Sequence, residues 1–172
     1  ETSIIDPNNL VSEYALSKYF SEVNLNQNFL NNQLNTTILR FGITYGSRKK
    51  NWSAVESIFN SVAKNSSIKV GSLKTGRNFI HVKDICEGVL KSLGRKGYNL
   101  YNLQGDEFIS LKNIIDTSCR ILNKSIKVIE IDAKNPNIRK VSNLKIKQQL
   151  NWRPKINLEN GLSELAKFLK YI

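Results

Sequence analysis

Helical and strand patterns take turns along this chain, and that alternation constrains the fold more than any other feature. An apolar stripe at helical spacing runs over residues 11–30 through Val11, Leu16, Tyr19, Phe20, Val23, Phe29 and Leu30. It is followed by Thr36–Phe41, a β-branched and apolar run of the kind that makes a buried parallel strand. The same alternation continues with predicted helices over 53–64, 82–93, 111–122, 143–150 and 158–169, and strands over 68–70, 78–80, 98–103 and 127–131. Ser110 and Asn157 stand where N-caps belong, and Gly94 and Gly97 stand past the end of the third helix. In that helix Ile85, Cys86, Val89, Leu90 and Leu93 form the expected buried side. Such a pattern predicts an α/β protein.

Length and composition bound the possibilities. The 172 residues suit one domain of about 100–200 residues with a real core. Hydrophobic residues make up 40% and charged residues 23%, so the chain reads as globular rather than disordered. No apolar run reaches the roughly 18 residues that a membrane span needs, and no signal-peptide pattern opens the chain. The expectation is therefore a cytoplasmic protein without a membrane partner, with Cys86 and Cys119 as two buried thiols. A net charge of +12 invites nucleic-acid binding. The lysines and arginines are scattered, however, and the densest run, Arg48-Lys49-Lys50, is three residues long. No aromatic-and-basic signature accompanies them, so nucleic acid is not the expected partner, whereas a basic surface suits a substrate carrying a diphosphate. The chain begins at Glu1 and contains no Met, which reads as a fragment.

Tyr14 and Lys18 lie four residues apart on a predicted helix and so project from one face, one turn apart. A tyrosine phenol of ordinary pKa, about 10, takes a proton poorly at neutral pH, and an ammonium group beside it favours the phenolate. The spacing alone is weak, since Tyr45 and Lys49 repeat it, but Tyr45 falls in a turn after a strand rather than on a helix. Glu22, four residues after Lys18, is expected as an intrahelical partner of that lysine, and Arg40 as a member of a structural ion pair. Arg77 follows the loop Gly71-Ser72-Leu73-Lys74-Thr75-Gly76, and its guanidinium is suited to gripping phosphate oxygens in pairs. His81 is the only histidine and is expected as a packed residue rather than a metal ligand.

Four motifs in one order carry a resemblance. They are Tyr14-Ala-Leu-Ser-Lys18, Leu39-Arg40-Phe41-Gly42-Ile43-Thr44-Tyr45-Gly46, Arg77-Asn78-Phe79-Ile80-His81-Val82-Lys83-Asp84 and Leu150-Asn151-Trp152-Arg153-Pro154. Over nearly its whole length the chain resembles the C-terminal half of extended short-chain dehydrogenases/reductases, the NAD-dependent nucleotide-sugar epimerases and dehydratases. The resemblance implies the C-terminal part of a doubly wound, Rossmann-like parallel sheet over residues 1–66. Residues 67–172 would then be mainly a smaller α/β substrate-binding domain, with some chain crossing back to the sheet.

The resemblance also implies roles. Tyr14 would be the general acid/base, and Lys18 would tune it and hold the nicotinamide ribose of NAD, with NADP left open. Phe41 would approach the cofactor. Arg77 and Arg139 would bind the diphosphate of a nucleoside diphosphate sugar, with Ile43 and Val70 also at the substrate. Asp84 and Trp152 would be structural, and a homodimer is the common assembly. Many relatives carry Asn where this chain has Ile43, which bears on the substrate pose. The glycine-rich loop for the cofactor pyrophosphate is expected upstream of Glu1, which would leave this chain inactive by itself. The hydroxyl residue that faces the tyrosine would also lie there, which makes Thr2 and Ser3 poor candidates for it. Epimerase and dehydratase stay open. So do a reductase of the same fold acting on a non-nucleotide keto substrate and a non-catalytic relative.

Overall fold

The computed structural model describes residues 12–50 and 52–172. The first helix, α1 (Glu13–Asn32), starts where the Ser12 side chain accepts from the Ala15 N–H, and it stops where Gln33 enters the left-handed region. It begins two residues later than the sequence pattern indicates, and Val11, the first residue of the expected stripe, lies outside the described residues. The stripe itself is not buried: Leu16, Phe20, Val23 and Leu30 are exposed, while α1 meets the strand that follows it and its Phe29 ring stands 5.9 Å from that of Tyr98. Its tie to that strand is polar. Glu22 turns away from Lys18 and takes two hydrogen bonds from Arg40, at 2.8 and 2.5 Å. The expected Lys18 partner thus serves instead as the partner of Arg40, whose structural ion pair holds helix to strand.

The remaining elements are β1 (Thr36–Phe41), β2 (Thr44–Tyr45), α2 (Ala54–Lys64), β3 (Ser67–Val70), β4 (Gly76–Arg77), β5 (Ile80–His81) and α3 (Val82–Ser92). After them come β6 (Tyr98–Leu103), β7 (Ile109–Ser110), α4 (Leu111–Leu122), β8 (Lys127–Glu130), α5 (Leu144–Leu150) and α6 (Leu158–Phe168). Parallel pairing joins β1 to β6, β2 to β5 and β3 to β8, as the α/β pattern requires. The short β4 and β7 pair antiparallel. The β1–β6 register runs from Thr36 opposite Tyr98 to Phe41 opposite Leu103, so the carboxyl ends of both strands finish together.

Two cores hold these elements. In one, Val55, Phe59 and Val62 of α2 meet Ile114 of α4, Leu162 and Leu165 of α6, and Val70 of β3. In the other, Ile80, Ile85, Tyr101, Leu103, Ile146 and Trp152 pack between α3, β6 and α5. These cores do not follow a division at residue 66: α2 shares its core with α4 and α6, while β6 returns to lie beside β1. Trp152 is fully buried, and its indole N–H donates to the Asp84 carbonyl at 3.1 Å.

The buried side of α3 differs from the expected one. Asp84, Ile85, Gly88 and Ser92 face inward, while Cys86, Leu90 and Leu93 are exposed. Gly88 decides this, since a Cβ there would stand 2.4 Å from Leu103 Cδ2, so the smallest residue lets the helix sit down on β6. Cys86 is accordingly an exposed thiol and Cys119 a half-buried one, not the two buried thiols of the sequence expectation. None of the described helices is long and apolar enough to cross a membrane.

Candidate active site

Parallel strands present ligands at their carboxyl ends, and here β1 ends in Phe41 and Gly42 beside the end of β6 at Leu103 and Gln104. Beyond these ends lies an open cleft lined by Phe41, Gly42, Ile43, Arg77, Asn78, Gln104, Arg139 and Val141. Four residues singled out in the sequence therefore share one surface: Phe41, Ile43, Arg77 and Arg139. Phe41 and Ile43 are exposed apolar groups along it. Val70 is placed elsewhere. It is buried in the α2–α4–α6 core, where β3 pairs with β8, and it does not line the cleft.

Arg77 is fixed by its surroundings. Its Nη1 donates to the Gly76 carbonyl at 2.7 Å and also to the Asn137 carbonyl. Gly76 in turn bridges Ile138, and its carbonyl accepts from the Arg139 N–H at 3.3 Å, which brings the Arg139 segment alongside. Burial and the nearby Arg139 charge both pull the Arg77 guanidinium below its ordinary pKa. It stays protonated regardless. Neither arginine meets a carboxylate among the described residues, whereas Arg40, Arg48 and Arg120 each do. Two adjacent cations left without a counter-charge make the cleft a site for an anion, and paired guanidinium forks match phosphate oxygens.

Tyr14 and Lys18 do share one face of α1, as their spacing requires. Tyr14 is 72% exposed and Lys18 Nζ stands 5.4 Å from its ring centroid. Thr2 and Ser3 lie outside the described residues. Tyr45, the other tyrosine with a lysine four residues on, has opposite surroundings: it is 1% exposed and donates to the Asn157 carbonyl at 3.2 Å. Burial, reinforced by the nearby Asp84 and Glu107 charges, pushes its phenol above the ordinary range, so it is no proton acceptor near neutrality.

Beside it the His81 ring packs edge-on to Tyr45 at 5.3 Å, and its Nδ1 accepts from the Lys83 N–H at 3.3 Å, capping α3. Asp84 accepts from the N–H groups of Lys155 and Ile156, at 3.0 and 3.1 Å, and so pins the chain after Trp152 to α3.

Gln104 and Asn78 line the cleft without having been singled out by sequence reasoning. Asn78 sits in the third motif, next to Arg77, and its Oδ1 accepts from the Val141 N–H at 3.1 Å. Gln104 reaches the site only because β6 pairs with β1, and no local signal announces a pairing between strands so far apart in the chain.

The family model described as GDP-mannose 4,6 dehydratase matches residues 1–165. The dTDP-4-dehydro-6-deoxyglucose reductase of Escherichia coli is 28% identical over 167 residues, which cover 91% of this chain and 52% of that protein. Among solved structures, UDP-glucose 4-epimerase of Thermotoga maritima bound to UDP-glucose superposes with a TM-score of 0.83 at 19% identity, covering 93% of this chain and 54% of that one. The Bordetella bronchiseptica enzyme WbmF, in complex with NAD+ and UDP, gives a TM-score of 0.82 at 21% identity, covering 99% of this chain and 56% of that one. At those identities the structural matches show the shared fold. This chain spans about half the length of the first curated relatives it matches. The family match from residue 1 to residue 165 places the chain in the GDP-mannose 4,6-dehydratase family, among the NAD-dependent epimerases and dehydratases of the extended short-chain dehydrogenases/reductases.

Proposed function

We propose that this chain carries the tyrosine–lysine pair and the substrate-diphosphate cleft of an NAD-dependent nucleotide-sugar epimerase or dehydratase. The observation that carries this reading is the convergence of Arg77 and Arg139 on one cleft with no carboxylate partner among the described residues. A diphosphate supplies the missing negative charge, and the cleft's position beyond the ends of β1 and β6 directs the attached sugar toward the reacting end of the sheet.

The exposed Tyr14, the lysine one turn away and the exposed Phe41 at a strand's carboxyl end fit the nicotinamide end of a dinucleotide. Held there, NAD would supply reversible hydride transfer at a sugar carbon. Tyr14 exchanges the hydroxyl proton of that carbon, and Lys18 supplies positive charge beside the phenol and holds the ribose. NAD is the expected cofactor, with NADP open. The 172 residues contain no Gly-x-x-Gly-x-x-Gly run, so the isolated chain is expected to hold NAD weakly and to turn over no substrate. A homodimer through α1 belongs to the same proposal, given the exposed Leu16, Phe20, Val23 and Leu30; sedimentation of the chain tests it.

One observation favours a second reading. Ile43 places an exposed apolar side chain in the cleft, which suits a reductase acting on a less polar keto substrate. Calorimetry with UDP, GDP and dTDP separates the two. The first reading expects at least one of the three to bind and Arg77→Ala to weaken it about 10–100-fold, the worth of one or two charge-assisted hydrogen bonds. Indifference to Arg77→Ala, or no binding of any of the three, would refute it.

A further inference from the structure

The polar group of the cleft that remains to be explained is the side-chain amide of Gln104. The residue is only 8% exposed and lines the same cleft as Arg77 and Arg139. Among the described residues nothing hydrogen-bonds its side-chain amide. The amide's polar atoms are not among the enclosed ones, so they remain open to the cleft and can hydrogen-bond what enters it.

The seat for that amide is built. Gly42 lies directly beneath it: a Cβ at residue 42 would stand 2.3 Å from Gln104 Oε1 and 2.9 Å from its Cδ. A side chain at residue 42 is therefore incompatible with the amide's present place. The Gln104 backbone is held from the other side, because its carbonyl accepts from Asn143 Nδ2 at 2.8 Å. The same Asn143 nitrogen donates to Asp106 at 2.7 Å, and Lys147 pairs with Asp106 at 2.5 Å. Gln104 is thus fixed at its main chain and free at its amide, the reverse of a side chain used for packing alone.

The location narrows the ligand group. Gln104 follows β6 at the carboxyl end of the β1–β6 pair, next to Phe41 and Gly42, while the two arginines occupy the β4 and Ile138 side of the cleft. What joins an anion at the arginines to the reacting end of the sheet is the sugar. We infer that the Gln104 amide is the sugar-reading group of this cleft, donating to or accepting from a hydroxyl or carbonyl oxygen of the glycosyl unit. The inference rests on the diphosphate reading above. An amide offers two donors and one acceptor, and a site built to hydrogen-bond an oxygen rejects ligands that lack it.

The test is calorimetry on the 172-residue chain and two variants. The probes are UDP, GDP and dTDP with their conjugates UDP-glucose, GDP-mannose and dTDP-glucose. Gln104→Met preserves length and removes the amide. Gly42→Ala leaves residue 104 intact and displaces its amide. The thermal midpoint of each variant shows that it is folded, and either variant suffices if the other is not. For the best-bound pair, the expected result is a loss of tenfold or more for the sugar conjugate, about 1.4 kcal/mol, with the parent nucleotide unchanged within about twofold. Equal losses on both ligands, or no loss on either, would overturn the role of Gln104 while leaving the arginine reading intact. Failure of the unaltered chain to bind any of the six would overturn that reading and this inference together.

Discussion

Replacing Asp84 by Asn tests how the end of the chain is tied to the sheet. The carboxylate is 2% exposed and each of its oxygens accepts one backbone N–H, from Lys155 at 3.0 Å and from Ile156 at 3.1 Å. An asparagine can keep one of these bonds. Its other terminal atom becomes an NH2 facing an N–H, so a second bond is lost and two donors are opposed. A hydrogen bond to a charged group contributes about 1.5–3 kcal/mol and a neutral one about 1 kcal/mol. One charged bond lost and the other reduced to a neutral one sum to about 3 kcal/mol. The negative charge also sits in the first turn of α3, where the helix dipole favours it, and its removal adds a few tenths more. For a chain of this length, 3 kcal/mol lowers the thermal midpoint by about 6–12 °C. Circular dichroism melts and urea titrations of the two proteins measure both figures. Desolvation of the carboxylate acts in the opposite direction and would make the substitution cheap if it dominated. A loss below about 1 kcal/mol would therefore refute the reasoning, showing that the two bonds contribute little beyond the cost of enclosing the carboxylate.

Three further substitutions probe the same framework. Glu56, fully buried, accepts from the N–H groups of Gly46 and Ser53 and pairs with the half-buried Arg48 at 2.8 Å, so Glu56→Ala is expected to cost about 2–4 kcal/mol in urea unfolding, chiefly through the two N–H groups it leaves unpaired. Gly161→Ala would set a methyl 2.6 Å from the Tyr45 ring, and overpacking of this kind should lower stability by about 1–3 kcal/mol in the same assay. Burial holds the His81 pKa below its ordinary value, opposed by Glu164, Asp84 and Glu56 and aided by Lys83. The unfolded chain therefore binds the proton more readily. The stability owed to neutral His81 is full above about pH 6.5 and is lost as pH falls from there through the lowered folded value. His81→Asn should flatten the wild-type slope of unfolding free energy below pH 6.5, and an unchanged slope would count against this account.

Much of the fold was legible because local chemistry and tertiary environment agreed. The strands Thr36–Phe41 and Tyr98–Leu103 and the helix Leu111–Leu122 occupy the ranges their patterns indicate. Ser110 and Asn157 cap the helices they precede, accepting from the N–H groups of Asn113 and Asn160. Legibility failed where a partner came from far along the chain. Glu22 pairs with Arg40 rather than Lys18, and Gln104 meets Gly42 only through the β1–β6 pairing. It failed again on α3, where hydrophobicity singled out Cys86, Leu90 and Leu93 but close approach needed Gly88 inward. The α/β class, by contrast, was carried by the alternation of helical and strand patterns, and the family by four short motifs that lie within the matched residues 1–165.

The same residue types divide into framework and site by what surrounds them. Tyr45 and Tyr14 each precede a lysine by four positions, yet Tyr45 is enclosed, with its hydroxyl committed to the Asn157 carbonyl, while Tyr14 stands in the open with Lys18 above its ring. Arg40 and Arg48 give their charge to Glu22 and Glu56, and removing either would leave a carboxylate without its partner. Arg77 and Arg139 have each other instead, in a cleft where Asn78 is bonded to the Val141 N–H and Gln104 has an unengaged amide. Coulomb repulsion between two adjacent cations destabilises the empty cleft, and an anion that bridges them removes the penalty at the moment of binding. On this account Arg139→Ala, which breaks none of the bonds that fix Arg77, should weaken the anion's binding while leaving stability nearly unchanged or slightly raised. Arg40→Ala should do the reverse, lowering the unfolding midpoint without touching anion affinity. A chain in which both substitutions acted alike, on stability and on binding, would show that the separation of framework from site is mistaken.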